Sequence, residues 1–181
     1  LLSKTEPAPR TVTFALEPEL KGYDHAHSRL FFDRVQTELA ALPGVVGVTA
    51  SMVPLLANSN WGSDVSVEGF KKGPDTDANS RFNEVGPGYF HTLGMAMVAG
   101  REFGTADQAG AQKVAIVNQA FARKFGLGND AVGKRMSDGG DTLNIEIVGL
   151  VRDAKYSEVK QQVPPLVFRP IGQDTAVGSL S

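Results

Sequence analysis

Cysteine is absent from this chain of 181 residues. That excludes a disulfide framework and any thiolate-based metal site; it suits a periplasmic protein and many cytosolic ones equally. Long apolar runs are also missing, with no stretch near the roughly 18 consecutive apolar residues that cross a bilayer. No basic segment followed by an apolar core opens the chain, so an export signal, if one is used, lies outside this sequence. The start, Leu1-Leu2-Ser3-Lys4-Thr5-Glu6-Pro7, fits the exit from a preceding segment. An excess of one charge is lacking too: 18 basic and 20 acidic side chains give −2. A nucleic-acid binder would usually show a basic face, so no nucleic-acid partner is expected. Aromatic residues make up only 8%, with a single tryptophan, Trp61.

What is present describes an ordinary globular chain, 41% hydrophobic and 21% charged. A chain of this size buries about 70% of its unfolded surface and folds without staples. Glycine (20) and proline (10) make it rich in turns.

Thr11 to Leu16 alternate, with Val12, Phe14 and Leu16 on one side, the period of a half-buried strand. Asp24 can cap a helix from about Ala26 to Leu42, whose Leu30, Phe31, Val35, Leu39 and Leu42 fall at helical spacing. Pro43-Gly44 stops it, and Val45 to Ala50 reads as a second strand. This strand–helix–strand unit is compatible with parallel pairing or with a split β-α-β fold. Further along, Val65 and Val67 mark a short strand, Arg81 to Val85 is extended, Tyr89 to Leu93 makes one helical turn ending at Gly94, and Met95 to Ala99 is a strand. Lys113 to Val117 is a compact apolar strand followed by Asn118 as N-cap of a helix over Gln119 to Phe125. Lys134 to Met136 and Thr142 to Val151 form a hairpin around Ser137-Asp138-Gly139-Gly140-Asp141. Pro164 to Pro170 is a last extended segment, expected at a sheet edge because proline cannot donate to a ladder.

Several groups tempt a functional reading. Gly128-Asn129-Asp130-Ala131-Val132-Gly133-Lys134 matches the G-x-x-x-x-G-K of a phosphate loop. Arg135 stands where Ser or Thr would hold Mg²⁺, and a helix precedes the motif where a strand should; a glycine-rich turn is the simpler reading. His25 and His27 sit at a helix entrance and His91 far away, which supplies no converging set of zinc ligands. Glu17, Glu19, Glu84, Glu102, Asp107 and Asp153 are scattered, with no reason to pair any two as hydrolytic acids. Trp61, in a polar loop, is a candidate partner contact or a lid over a small core. Gly86-Pro87-Gly88-Tyr89-Phe90 reads as a conformational device, with glycine and proline shaping a turn that the aromatics anchor.

The run Asn83-Glu84-Val85-Gly86-Pro87-Gly88-Tyr89-Phe90-His91-Thr92-Leu93-Gly94-Met95, followed by Gly100-Arg101-Glu102-Phe103, resembles the V-x-P-G-Y-F-x-T-L-G … G-R-x-F signature of MacB-like periplasmic core domains. Val114 to Ala122 resembles the family's v-a-I-V-N-x-x-x-A, Val132-Gly133-Lys134-Arg135 its i-G-K-r, and Glu146 to Asp153 its e-I-V-G-V-V-x-D. Pro165 to Pro170 resembles its P-x-x-Y-x-P, with Phe168 where Tyr is usual. The likeness runs from about Thr11 to Pro170. It implies an α+β fold with a Porter-like strand-helix-strand layer and an inserted mainly-β Sabre-like subdomain. The implied segments are 10–51 (first Porter-like unit), 52–105 (connecting strands and turn motif), 106–172 (Sabre-like part) and 173–181 (tail). Gly86, Pro87, Gly88, Tyr89, Phe90, Gly94, Gly100 and Arg101 become a structural turn motif.

The resemblance, to MacB/FtsX permeases of the duplicated type, further implies a place on the periplasmic side of the inner membrane. It implies no cofactor in this domain and no catalysis by it. The implied partners are transmembrane helices of a longer chain, a separate ATPase subunit or domain, and a periplasmic adaptor or second permease half. ATP-driven motion would reach this domain through those helices. Family members continue after the Pro-rich strand into a second strand–helix–strand, and this sequence stops about where that begins. A ligand- or peptide-binding sensor on the same scaffold is the competing class, and an unrecognised hydrolase a third.

Overall fold

The computed structural model describes residues 11–14, 16, 25–52, 61–153 and 163–173. The chain divides into two compact units, Leu1–Val46 and Gly47–Ser181.

In the first unit the described regular element is helix α1, His25–Ala40. Arg34 and Glu38, one turn apart, form an ion pair at 2.8 Å, and Thr37 returns its hydroxyl to the Asp33 carbonyl. The helix ends at Ala40, two residues short of the expected Leu42, and the turn that follows carries Gly44 at φ 85°, the left-handed geometry that glycine adopts freely. The expected cap Asp24 lies outside the described residues. The strand expected over 11–16 is not found among them: Thr11–Phe14 and Leu16 belong to no ladder. Alternation prepares a face, but a strand exists only when a neighbour takes its backbone groups.

The second unit holds β1 (Gly62–Val67), β2 (Asn79–Val85), α2 (Tyr89–Thr92), β3 (Met97–Gly100), β4 (Val114–Asn118), α3 (Gln119–Lys124), β5 (Arg135–Asp138), β6 (Ile145–Val151) and β7 (Leu166–Pro170). The sheet order is β3-β6-β4-β7-β2-β1-β5, and β5 pairs again with β6. Strands β6-β4-β7-β2-β1-β5 therefore close into a ring, with β3 attached to β6. Pairs β2/β7 and β4/β6 are parallel; β1/β2, β1/β5, β4/β7, β5/β6 and β3/β6 are antiparallel. Closure leaves few unpaired edges. Segments 52–105 and 106–172 both contribute strands to this one sheet.

Two expectations are corrected here. The Pro-rich segment is central, with β7 lying between β2 and β4. Pro164 and Pro165 precede the ladder and Pro170 ends it. A proline carbonyl still accepts, as Pro165 does from the Arg81 N–H at 3.0 Å. The strand expected over 45–50 is extended chain that pairs only at its end. Gly86 N–H donates to Ala50 O (2.8 Å), Met52 N–H donates to Glu84 O (2.9 Å), and Ser51 bridges Val85.

Side chains alternate along each strand, so the ring has two faces. Val65, Val67, Phe82, Ala115, Val117, Met136, Ile145, Ile147, Leu150 and Val167 fill the interior, together with Phe121 and Phe125 from the α3 end. A second core, with Tyr89, Phe90, Phe103, Ile116, Val148, Val151 and Phe168, packs on the outer face.

Candidate functional site

The turn motif builds the second core. Gly88 caps α2 at φ 68°, and its carbonyl accepts the Thr92 N–H at 2.9 Å. That left-handed turn brings Tyr89 and Phe90, both buried, onto β7, with Phe90 edge-on to Phe168 at 5.0 Å and near Phe103 at 6.2 Å. Gly94 follows, and the Met95 N–H returns to the Phe90 carbonyl at 2.8 Å.

At the end of β3 the chain crosses β6. Gly100 adopts φ 76°, and a Cβ there would lie on the Val148 carbonyl oxygen. Opposite, a Cβ on Gly149 would stand 2.6 Å from the Arg101 carbonyl oxygen. The G-R pair and the V-G pair of the signature thus meet backbone to backbone, a contact that side chains would prevent. Beyond this point the same edge of β6 is taken over by the chain leading into β5: Gly133 N–H donates to Ile147 O, and Ile147 N–H to Lys134 O. Arg101 then grips Asp107 through both terminal guanidinium nitrogens, at 2.6 and 2.8 Å. The Arg101 hydrogen bonds hold the Asp107 carboxyl below its ordinary pKa, and the Gly104 N–H adds to this against the opposing effect of burial.

A second polar constellation closes one end of the barrel, where β1 starts and β7 ends. Arg169 follows inward-facing Val167 by two residues, as Glu84 follows Phe82 and Asp138 follows Met136, so all three lie above the apolar interior. Arg169 pairs with Glu84 at 3.0 Å and Asp138 at 3.1 Å. Its guanidinium also lies 5.3 Å from the Trp61 ring centre and 5.6 Å from that of Phe82. One side chain thus connects β7, β2, β5 and the residue preceding β1. Beside it is a cavity of about 10 Å³, lined by Lys113, Val114, Ile145, Arg169, Pro170 and Gln173. That is room for about one water. Buried Gln173 accepts the Val114 N–H at 2.9 Å and donates to the Gln112 carbonyl at 2.7 Å.

The structure unites Gly86, Gly88, Tyr89, Phe90, Gly94, Gly100 and Arg101 along one outer flank, with Pro87 exposed at the turn. Trp61, half-exposed, packs on Phe82 at 5.9 Å at the barrel mouth. The phosphate-loop look-alike runs from a helix into a strand, with Gly128 and Gly133 at positive φ and Lys134 paired with Glu68. His91 is exposed on α2, while the side chains of His25 and His27 lie outside the described residues. No group of potential metal ligands occurs among the described residues, and no described helix is long and apolar enough to span a membrane.

A family model for the MacB-like periplasmic core domain matches residues 8–179. The chain belongs to this family. It is a periplasmic domain of the MacB-like ABC-transporter permease family. The mixed α+β architecture, mostly strands with few helices, is similar to the periplasmic region of MacB from Actinobacillus actinomycetemcomitans. That similarity has a TM-score of 0.50 at 15% identity, over 76% of this chain and 54% of that one. A domain of a permease protein from Porphyromonas gingivalis matches at TM-score 0.48 and 20% identity, over 72% and 52%. The extracellular domain of the noncanonical ABC-type transporter YknZ from Gram-positive bacteria matches at 0.44 and 16%, over 76% and 61%. This MacB-like chain therefore spans between about half and three-fifths of those structures. No curated protein matches it.

Sequence reasoning named the turn motif, weighed Asp107 and Glu84 only as scattered acids, and gave Gln173 and Arg169 no role. A charged residue at an inward position, two after Val167 in an apolar run, was the available signal for Arg169. Gln173 gave none, since its partners are backbone groups.

Proposed function

We propose that this MacB-like domain is a non-catalytic mechanical element, relaying motion driven by ATP elsewhere to a substrate or partner. The drive comes from a separate ATPase subunit or domain through transmembrane helices of the longer chain. The recipient is a periplasmic adaptor or second permease half, with Trp61 as a contact for it. In this reading residues 106–172 are the Sabre-like part and α1 is the helix of the Porter-like layer.

The observation that carries this is where the chain enters and leaves the second unit. Both connections are tied to the last residues of β2 and Gly86: Ala50 and Met52 bond Gly86 and Glu84, and the Ile171 N–H bonds the Val85 carbonyl at 3.0 Å. A closed barrel held at one end moves as a body when that end is displaced. The sensor reading needs a ligand pocket, typically several hundred Å³, whereas the mouth cavity holds about 10 Å³.

The test places two spin labels in the full-length permease, one at exposed Asp130 beyond α3 and one on the membrane-spanning part, and measures their separation with and without ATP. A nucleotide-dependent change in distance is expected. An unchanged distribution in a transport-active preparation sinks the relay. Calorimetric titration of this chain with ATP should show no specific binding, which tests the reading of Gly128–Lys134 as a turn.

A further inference from the structure

We propose that Ile171–Gln173 is a releasable strap across the barrel mouth, which can part from β4 without opening the barrel. The strap is tied to the barrel by directional hydrogen bonds. Its Ile171 is exposed, and the Ile171 N–H bonds the Val85 carbonyl. Gly172 turns the chain at φ 81°, and the Gln173 N–H closes that turn on the Pro170 carbonyl at 3.3 Å. Beyond the turn, the Gln173 side chain does what a neighbouring strand would do. Its carbonyl takes the Val114 N–H and its amide gives to the Gln112 carbonyl.

On the near side, Arg169 fixes the departure of the strap through Glu84 and Asp138. The apolar interior below involves none of these groups: Val117, Val167 and Leu150 are fully buried among other side chains. Directional hydrogen bonds break individually, whereas a packed interior yields cooperatively. The strap is thus positioned to open as a local event. Gln173 is a positioning residue here, setting whether the strap moves with β4 or apart from it. This use of the strap rests on the relay reading above; its existence does not.

Amide hydrogen exchange on the full chain tests it. In Gln173→Ala the Val114 amide should exchange about tenfold faster, the change expected for one net hydrogen bond, while the amides of Val117 and Val167 keep their rates. Gln173→Glu retains an acceptor for the Val114 N–H and should restore most of its protection. An unchanged Val114 rate in Gln173→Ala overturns the proposal. So does equal acceleration of Val117 and Val167, which would make the strap part of the cooperative barrel, and so does failure of Gln173→Glu to restore protection. A permease whose label distances ignore ATP would defeat the relay reading and leave these exchange rates as they are.

Discussion

The two ends of the barrel are closed by different chemistry. At the α3 end the closure is apolar: Phe125 meets Phe121 in a tilted contact at 4.5 Å and Phe70 edge-to-face at 5.0 Å, and Leu127 packs against this core. At the opposite mouth the closure is ionic, with Arg169 between two carboxylates and against the rings of Trp61 and Phe82. Apolar packing is non-directional and tolerates small displacements while the surface stays buried. Charge-assisted hydrogen bonds are directional and are lost within about an ångström. The mouth is also where the chain enters and leaves. The apolar plug thus lies at the end opposite the one where the chain enters and leaves the barrel.

This contrast can be broken in order of size. Phe121→Ala should cost most, about 3–5 kcal/mol, because it empties the apolar plug; chemical denaturation would measure it, and a loss below about 1 kcal/mol would mean the plug is not what seals that end. Arg169→Met should cost about 3 kcal/mol by leaving Glu84 and Asp138 facing each other without their cation. Adding Glu84→Gln and Asp138→Asn should recover much of that loss, since removal of the whole network costs less than removal of one member. If the triple variant is no better than the single, packing of the arginine stem, not charge, closes the mouth.

Asn118→Ala should cost about 1–2 kcal/mol in the same measurement. This side chain caps α3 through the Phe121 N–H and also accepts the Leu166 N–H, both at 2.9 Å, so it adds directional ties to the apolar end. The smallest effect concerns acid. The Asp107 carboxyl is held below its unfolded value by Arg101 and Gly104, so its contribution is complete above about pH 4. It is lost as the pH falls through the depressed folded value. Melting temperatures of the wild type and Asp107→Asn should therefore differ near neutrality and converge at the acid end; a constant gap would remove Arg101–Asp107 from the acid response.

Local elements were legible in the residues themselves. The cap at Asn118, the helical turn after Gly88 and the hairpin around Gly139 depend on neighbours a few positions apart. The first two stand where spacing placed them, while in the hairpin Ser137 and Asp138, expected in the turn, are strand residues paired with β1, and the second strand starts at Ile145. The strand at 11–16 and the edge position of β7 were misread for the opposite reason. Whether an alternating segment becomes a strand, and which strands flank it, depends on partners far along the chain. The contact of Gly100 with Gly149 was visible as two separate motif glycines, but the motif carried no sign that they touch.

Sequence alone determined the family and the local turns, because the order of its short motifs and the conformational limits of glycine, proline and the capping residues act over a few residues. The tertiary structure decided ring closure, the central place of β7, and the convergence of Arg169, Glu84 and Asp138 from three strands. Those follow from burying one face of every strand at once, a constraint that no single segment contains.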